Sequence, residues 1–297
     1  MRTSICILDR RLIITVIKLC FSGKWGGRIS SLRELAENVY LISSSFIVFE
    51  NPLPYLRALL HKSEATSILK TRTGLRITFR QNLYDARILR ESFLEKPYLV
   101  GVQNFDVILD IGAYIGDFSL YAAKHLRARV IAFEPTAENF SLLAQNVRDN
   151  NLSNRISISP LAVSARGGPL QLFIQSSEAG EIHASSNIYG THYVNPSTRV
   201  IESISINQIL VDHNLAKVNL LKLDIEGGEY DILEDMSDEV FEKIDNIVLE
   251  CHPIPGYEPR LRLIMVRLSS LNYKVKRKGW LVWANKQCVG ASRLRAS

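Results

Sequence analysis

The sequence predicts an α/β protein on a mostly parallel sheet with helices on both faces. Three observations predict it. Short apolar runs alternate with amphipathic helical stretches from residue 105 onward, the links between them are short, and the chain ends on two strand-like runs flanking Lys278-Gly279. A strand, a helix and a second strand with short links make a βαβ unit with parallel strands. Two runs joined by a two-residue turn pair antiparallel.

Residues 1–100 read as mixed short helices, broken at Asn51-Pro-Leu-Pro54, with one strand at Leu75–Phe79 after the Gly74 turn. Val107–Asp110 is the first strand of the alternating region and Asp117–Leu126 its helix. Arg129–Phe133 is the second strand, ending in Glu134-Pro135. Thr136–Asp149 follows as a helix with Phe140, Leu143 and Val147 on one face. Ile156 and Ile158 alternate with serine in a third strand. Leu170–Ile174 reads as a strand, and 176–198 as one long polar loop, a lid or a disordered insertion. The rhythm resumes with a strand at Asn219–Asp224, a helix near Glu229–Met236 and a strand at Ile244–Glu250. A helix from Glu258 to Leu271 and a hairpin of Tyr273–Arg277 with Trp280–Asn285 close the chain. This divides the chain into a basic helical extension (1–50), a cap segment (51–104) and an α/β domain (105–290).

Charge is segregated. The net charge of +6 hides a +5 segment at 1–30, a tail at 259–297 with ten Lys/Arg and no acid, and an acidic body between them with 20 bases and 29 acids. Four cysteines without CxxC spacing read as reduced thiols and a cytoplasmic setting. No run of 18 apolar residues exists; Leu12–Phe21 is short and interrupted by Lys18, so a packed or membrane-peripheral helix is expected over 1–30 rather than a span.

The chemistry centres on Asp110-Ile-Gly112-Ala-Tyr114-Ile-Gly116, at a strand end where a helix opens. Glycine there lets backbone approach a cofactor closely. Glu134 ends the next strand, where a carboxylate accepts hydrogen bonds from a ribose. A dinucleotide site would need G-x-G-x-x-G, which is missing, and Asp110 and Asp117 would repel its phosphates. S-adenosyl-L-methionine carries cationic groups and no phosphate, so acids around the turn suit it better.

The same segments resemble the FkbM-type methyltransferase family. The resemblance rests on Asp110–Gly116, Phe133-Glu134-Pro135, Asn139 and Asn146, the run Lys222-Leu-Asp224-Ile-Glu226-Gly227-Gly228-Glu229, and Val248-Leu-Glu250-Cys-His252, with Asp85, Phe93 and Tyr98 upstream. It implies a class I, Rossmann-like fold with a seven-stranded sheet, and methyl transfer from S-adenosyl-L-methionine to a hydroxyl of a small molecule, sugar or lipid-linked glycan. By the same resemblance Asp110, Gly112, Tyr114 and Gly116 lie against the methionine end, Glu134 at the ribose, Ala162 by the adenine, and Asp224 beside the methyl group. One departure is Ser205-Ile206-Asn207, where the family often has Thr-Leu-Asp; Asn207 can still cap a helix.

A hydroxyl acceptor must shed a proton, and His252, Glu250 and Asp224 are the candidate bases. Glu250 and His252, two apart at a strand end, share one face. Each has a plainer reading: His252 as a loop cap, Glu250 as a partner of Lys222. Asp224, Glu226 and Glu229 with Glu250 could hold a divalent metal, but some are needed as helix caps, and no metal is expected. His183, Tyr189, His192 and Tyr193 either contact the acceptor or sit in a solvated loop. Lys274–Lys278 either binds phosphate or is a solvated strand face, and Trp280 and Trp283 are expected in packing. Competing functions are an RNA methyltransferase favoured by the basic ends, a non-catalytic donor-binding membrane adaptor, and, more distantly, an NAD-dependent oxidoreductase; no nucleic-acid-binding motif is visible.

Overall fold

Strands covered on both faces need apolar side chains at nearly every position. Val107–Ile111 (β3) and Leu220–Leu223 (β10) fit that rule except at Asp110 and Lys222. The structure, a computed structural model, describes residues 32–60, 63, 65–99, 101, 105–176, 182–187 and 197–287. The expected extension over 1–30 lies outside them, as do Tyr189, His192 and Tyr193.

The chain begins with helices α1 (Leu32–Val48) and α2 (Leu53–Ala58), then a hairpin of β1 (Thr66–Lys70) and β2 (Arg76–Arg80). Helix α3 (Leu83–Arg90) continues as a π-helical turn, Glu91–Glu95. After β3 come α4 (Asp117–Tyr121), continued as a π-helical turn over Ala122–Leu126, β4 (Arg129–Phe133), α5 (Ala137–Asp149) and β5 (Ile156–Ser159). Strands β6 (Ala162–Val163), β7 (Gly168–Ser176), β8 (Ile182–Asn187) and β9 (Ser197–Ile204) precede α6 (Ile206–Asp212). The last part runs β10, α7 (Glu229–Asp235), α8 (Asp238–Glu242), β11 (Asn246–Glu250), α9 (Tyr257–Ser270), β12 (Tyr273–Lys278) and β13 (Leu281–Lys286).

Seven strands form the main sheet in the order β12-β13-β11-β10-β3-β4-β5. Pairs from β11 to β5 are parallel and the β12–β13 hairpin joins β11 antiparallel, as expected. Side-chain alternation sends Ile108, Leu220 and Val248 into one core and Leu109, Leu221 and Ile247 into the other. The first core also contains Tyr55, Leu69, Phe79 and Phe93, so segment 51–104 packs directly on the sheet. Asn146 secures it: buried on α5, its side chain bonds Thr78 N–H at 2.7 Å, Thr78 O at 3.0 Å and Ile115 O at 2.9 Å. Trp283 packs in the same core and donates to Pro97 O at 2.7 Å; Trp280 is half exposed in the hairpin turn.

Two expectations change. The polar stretch 176–198 contains β8, and β9 begins at Ser197; with β6 and β7 they form a second, four-stranded sheet, order β6-β9-β7-β8. Backbone pairing needs no apolar side chain, so polarity alone did not separate strand from loop. The cap of α6 is Ser205, whose hydroxyl accepts from Gln208 N–H at 3.2 Å; Asn207 lies inside the helix. The basic C-terminal run is paired to the acidic body, through Arg260 with Asp231 and Glu234, Arg267 with Asp238, and Arg277 with Glu258. Among the described residues no helix is long and apolar enough to cross a membrane.

Lys222 and Asp110 face each other across β10 and β3 in direct register, with Lys222 Nζ 3.1 Å from Asp110 Oδ1. Both are buried. Removing one partner of a buried pair strands the other charge. Lys222→Met is expected to lower unfolding free energy by about 3–5 kcal/mol in urea titration; a loss below about 1 kcal/mol, the scale of an exposed pair, would show that the pair does not hold the sheet.

Candidate active site

The site lies beyond the carboxyl ends of the parallel strands, where loops diverge and ligands bind in open α/β sheets. The first loop leaves β3 at Gly112, with φ +82°. A Cβ there would collide with the Asp224 carbonyl, so the position needs glycine on both counts. Gly112 and Ala113 N–H bond the Phe133 carbonyl at 3.0 and 2.9 Å. Gly116, φ +86°, lets the start of α4 lie against Leu143. Tyr114 has φ +52°, unusual for a side chain of this size. Its N–H donates to Glu134 Oε2 at 3.0 Å and its hydroxyl to Asp85 Oδ1 at 2.6 Å. Arg80 completes this buried network, paired with Asp85 and donating to Tyr114 Oη at 2.6 Å and Asn139 Oδ1 at 3.0 Å.

Glu134 is buried at the end of β4 and holds its loop together. Its Oε1 accepts from Thr136 N–H at 2.9 Å and Asn139 Nδ2 at 3.3 Å. Burial pushes its carboxyl up to about 7, against the opposing pull of Thr136, Asn139 and Tyr114.

These residues wall a cavity of about 590 Å³, within the range of small-molecule sites. Gly112, Tyr114 and Glu134 form one side, and Leu161, Ala162, Val163 and Leu172 an apolar side. Asp224, Ile225 and Glu226 close it. Its lining carries six carboxylates and one guanidinium, Arg166. Asp110 and Gly116, expected against the donor, are not part of its lining. Asp110 is turned under the sheet end to Lys222 and to Ser119, whose hydroxyl donates at 2.6 Å.

Lys222 Nζ reaches three oxygens: Asp110 Oδ1 at 3.1 Å, Gly112 O at 3.1 Å and Asp224 Oδ2 at 3.5 Å. It also stands over the Tyr98 ring at 5.2 Å. Burial opposes the ammonium, but Asp110, Asp224 and Asp117 outweigh it and raise the pKa. The partner of Lys222 is thus Asp110, with Asp224 behind it, and not Glu250.

A second cavity, about 180 Å³, adjoins the first and shares Tyr84, Ile88, Asp224 and Glu226 with it. Arg87, Glu91, Glu250 and His252 complete its lining. The three candidate bases therefore converge here. Burial and the charge of Asp224 raise the Glu250 carboxyl. Buried Glu229 accepts from Ile225 N–H at 2.8 Å, Gly227 N–H at 2.9 Å and His252 Nδ1 at 2.8 Å. It fixes the loop and the imidazole, which removes it from the acids weighed as metal ligands. Burial works against a charge on His252, but Glu229, then Glu226 and Asp224, push it up to about 10. These carboxylates favour the protonated imidazole over the free base.

Tyr84, Ile88, Glu91 and Tyr98, all from the cap segment, were not singled out for the site; Tyr98 donates to Asp224 Oδ2 at 3.4 Å. The i, i+4, i+7 spacing of Tyr84, Ile88 and Glu91 was a readable signal of one helical face. Its packing against the sheet edge was not. The side chain of His183 lies outside the described residues.

Comparison with known proteins places these features in a family. Residues 110–275, more than half of the chain, match the model of the Methyltransferase FkbM domain. Methyltransferase 1 of Beauveria bassiana (strain ARSEF 2860) is 29% identical over 183 residues, covering 55% of this chain and 72% of that protein. The 31-O-demethyl-FK506 methyltransferase FkbM of Streptomyces tacrolimicus is 26% identical over 202 residues, covering 59% and 78%. The hexuronic acid methyltransferase AglP of Haloferax volcanii is 28% identical over 186 residues, covering 61% and 70%. With the glycine turn, the Asp224–Glu229 loop and the Glu250–His252 strand end all inside the matched region or its walls, the chain belongs to the FkbM family of methyltransferases.

Proposed function

We propose that this methyltransferase uses S-adenosyl-L-methionine to methylate a hydroxyl oxygen of a small molecule or sugar. The observation that carries the reading is the lining of the larger cavity: an apolar wall, a buried carboxylate at the end of β4, and an excess of acid, since Glu134, Asp224 and Glu226 remain beyond the acids paired to Arg166 and Arg260. That lining suits a cationic, phosphate-free donor and disfavours a dinucleotide. When bound, S-adenosyl-L-methionine supplies a methyl group on a sulfonium sulfur, whose C–S bond breaks as the bond to the acceptor oxygen forms.

The chain's residues supply placement and proton removal. Leu161, Ala162, Val163 and Leu172 take the adenine. Glu134 accepts from a ribose hydroxyl; the Thr136 hydroxyl beside it rotates away without moving the backbone. Gly112 and Tyr114 pass behind the methionine end, and Asp224, common to both cavities, marks the transfer point. The acceptor hydroxyl sits in the smaller cavity, and its proton leaves to one of the carboxylates that line it. Alignment and exclusion of water supply much of the acceleration in such a displacement. The acceptor class follows the relatives, one named for a demethylated oxygen of FK506 and one for hexuronic acid.

Glu134→Ala is expected to weaken binding of S-adenosylhomocysteine by roughly 1.5–3 kcal/mol, the value of a hydrogen bond to a charged group, measured by calorimetry. Unchanged affinity would remove Glu134 from the donor site. Release of S-adenosylhomocysteine with a panel of polyols, uronic acids and macrolide alcohols tests the acceptor class; methylation of RNA alone would reject it.

A ribose hydroxyl donates better to the ionised form of Glu134, which burial disfavours below about 7. Affinity for S-adenosylhomocysteine is therefore expected to rise as pH increases through 7, and Glu134→Gln to flatten that rise. An identical pH profile in the variant would assign the dependence elsewhere.

A further inference from the structure

The smaller cavity brings together ligating atoms that the protein leaves unused. His252 Nδ1 lies 2.8 Å from Glu229 Oε1. Glu229 already receives two backbone N–H groups and acts as an acceptor, so Nδ1 carries the hydrogen and Nε2 is the atom turned toward the cavity. The carboxylate oxygens nearest Nε2 are Glu226 Oε2 at 3.6 Å and Asp224 Oδ1 at 3.9 Å, both too long for a hydrogen bond. Among the described residues, no hydrogen-bond donor reaches the Glu250 carboxylate. One such atom from each of Asp224, Glu250 and His252 lies within 4.8 Å of the others. None of the three is an exposed surface group.

We propose that Asp224, Glu250 and His252 Nε2 bind one hard divalent cation, Mn²⁺ or Mg²⁺. Atoms too far apart to bond one another, yet this close, suit a shared ion with bonds of about 2.0–2.6 Å. The set matches a metal site in its outer partners as well as its ligands. Glu229 bonds the distal nitrogen of the histidine, as ligating imidazoles require. Lys222 and Tyr98 hold Asp224 Oδ2, leaving Oδ1 toward His252. Two carboxylates and one imidazole, without a thiolate, favour oxygen-preferring metals; Cys251 is buried in the opposite core. The cation replaces the proton on Nε2, and Nδ1–H stays on Glu229.

The role deepens the reading of the reaction above and rests on it. Three protein ligands leave coordination positions open, and the adjoining donor cavity puts the methyl transfer point beside them. An acceptor hydroxyl coordinated there is oriented and made more acidic. The acceptors this favours carry a second oxygen next to the methylated one, such as a vicinal diol or a hydroxy acid, able to chelate the ion.

The test uses the full chain, stripped with chelator and titrated with Mn²⁺ while free ion is followed by electron paramagnetic resonance. One Mn²⁺ per chain is expected, displaced by excess Mg²⁺, with affinity falling by at least about tenfold in Glu250→Gln and in His252→Ala. Neither residue lines the donor cavity, so S-adenosylhomocysteine affinity measured in parallel reports whether each variant is folded. Pulsed resonance on the unsubstituted protein should show nitrogen coupling to bound Mn²⁺, a readout that needs no variant. Absence of saturable binding at millimolar Mn²⁺, absence of nitrogen coupling, or binding untouched by both substitutions in folded protein overturns the site. Mn²⁺ binding with nitrogen coupling but no S-adenosylhomocysteine binding keeps the site and rejects the donor assignment instead.

Discussion

The buried ammonium of Lys222 organises this structure. A lone ammonium cannot be held away from water without compensating charge, and here three oxygens supply it from three places: β3 through Asp110, the glycine turn through Gly112 O, and the loop after β10 through Asp224. One side chain thereby fixes the two central strands and both loops that wall the larger cavity. The tight passage of Gly112 past the Asp224 carbonyl is part of the same arrangement. Separating the loops would cost Lys222 its contacts with Gly112 O and Asp224.

Acids at this sheet edge have different roles set by surroundings rather than by type. Glu134 and Glu229 are turned inward and satisfy backbone N–H groups of their own loops and, for Glu134, of the glycine turn after β3. Asp110 neutralises Lys222. Asp224, Glu226 and Glu250 face the cavities. The first group makes the loops rigid enough to hold the last group within reach of one another. Through Arg80, Asp85, Tyr114 and Asn139, the same rigidity extends to the β1–β2 hairpin and α3.

Most of the main sheet was legible. Arg129–Phe133 has its expected bounds, and the expected β12–β13 hairpin is present, its turn at Gly279-Trp280, one residue after Lys278-Gly279. Asn139 and Asn146 were selected by resemblance alone; the structure supplies their work, one on Glu134 and one bridging Thr78 and Ile115. The second sheet was not legible because β8 and β9 pair through backbone and carry little apolar periodicity. The cap-segment residues at the site were missed for another reason: their relation to Asp224 spans more than a hundred residues of chain.

By itself the sequence determined the strand–helix rhythm, the glycine turn, the acid at the end of β4 and the family to which these belong, because each is a local pattern with a local physical cause. Tertiary structure alone decided that Lys222 pairs with Asp110 rather than Glu250, that Asp110 lies outside the lining of the larger cavity, and that Glu229 binds His252 while Asp224 and Glu250 face the smaller cavity. Those outcomes depend on which strands are neighbours and in which register. Charge pairing over a few ångströms is settled only once the sheet has brought the groups together.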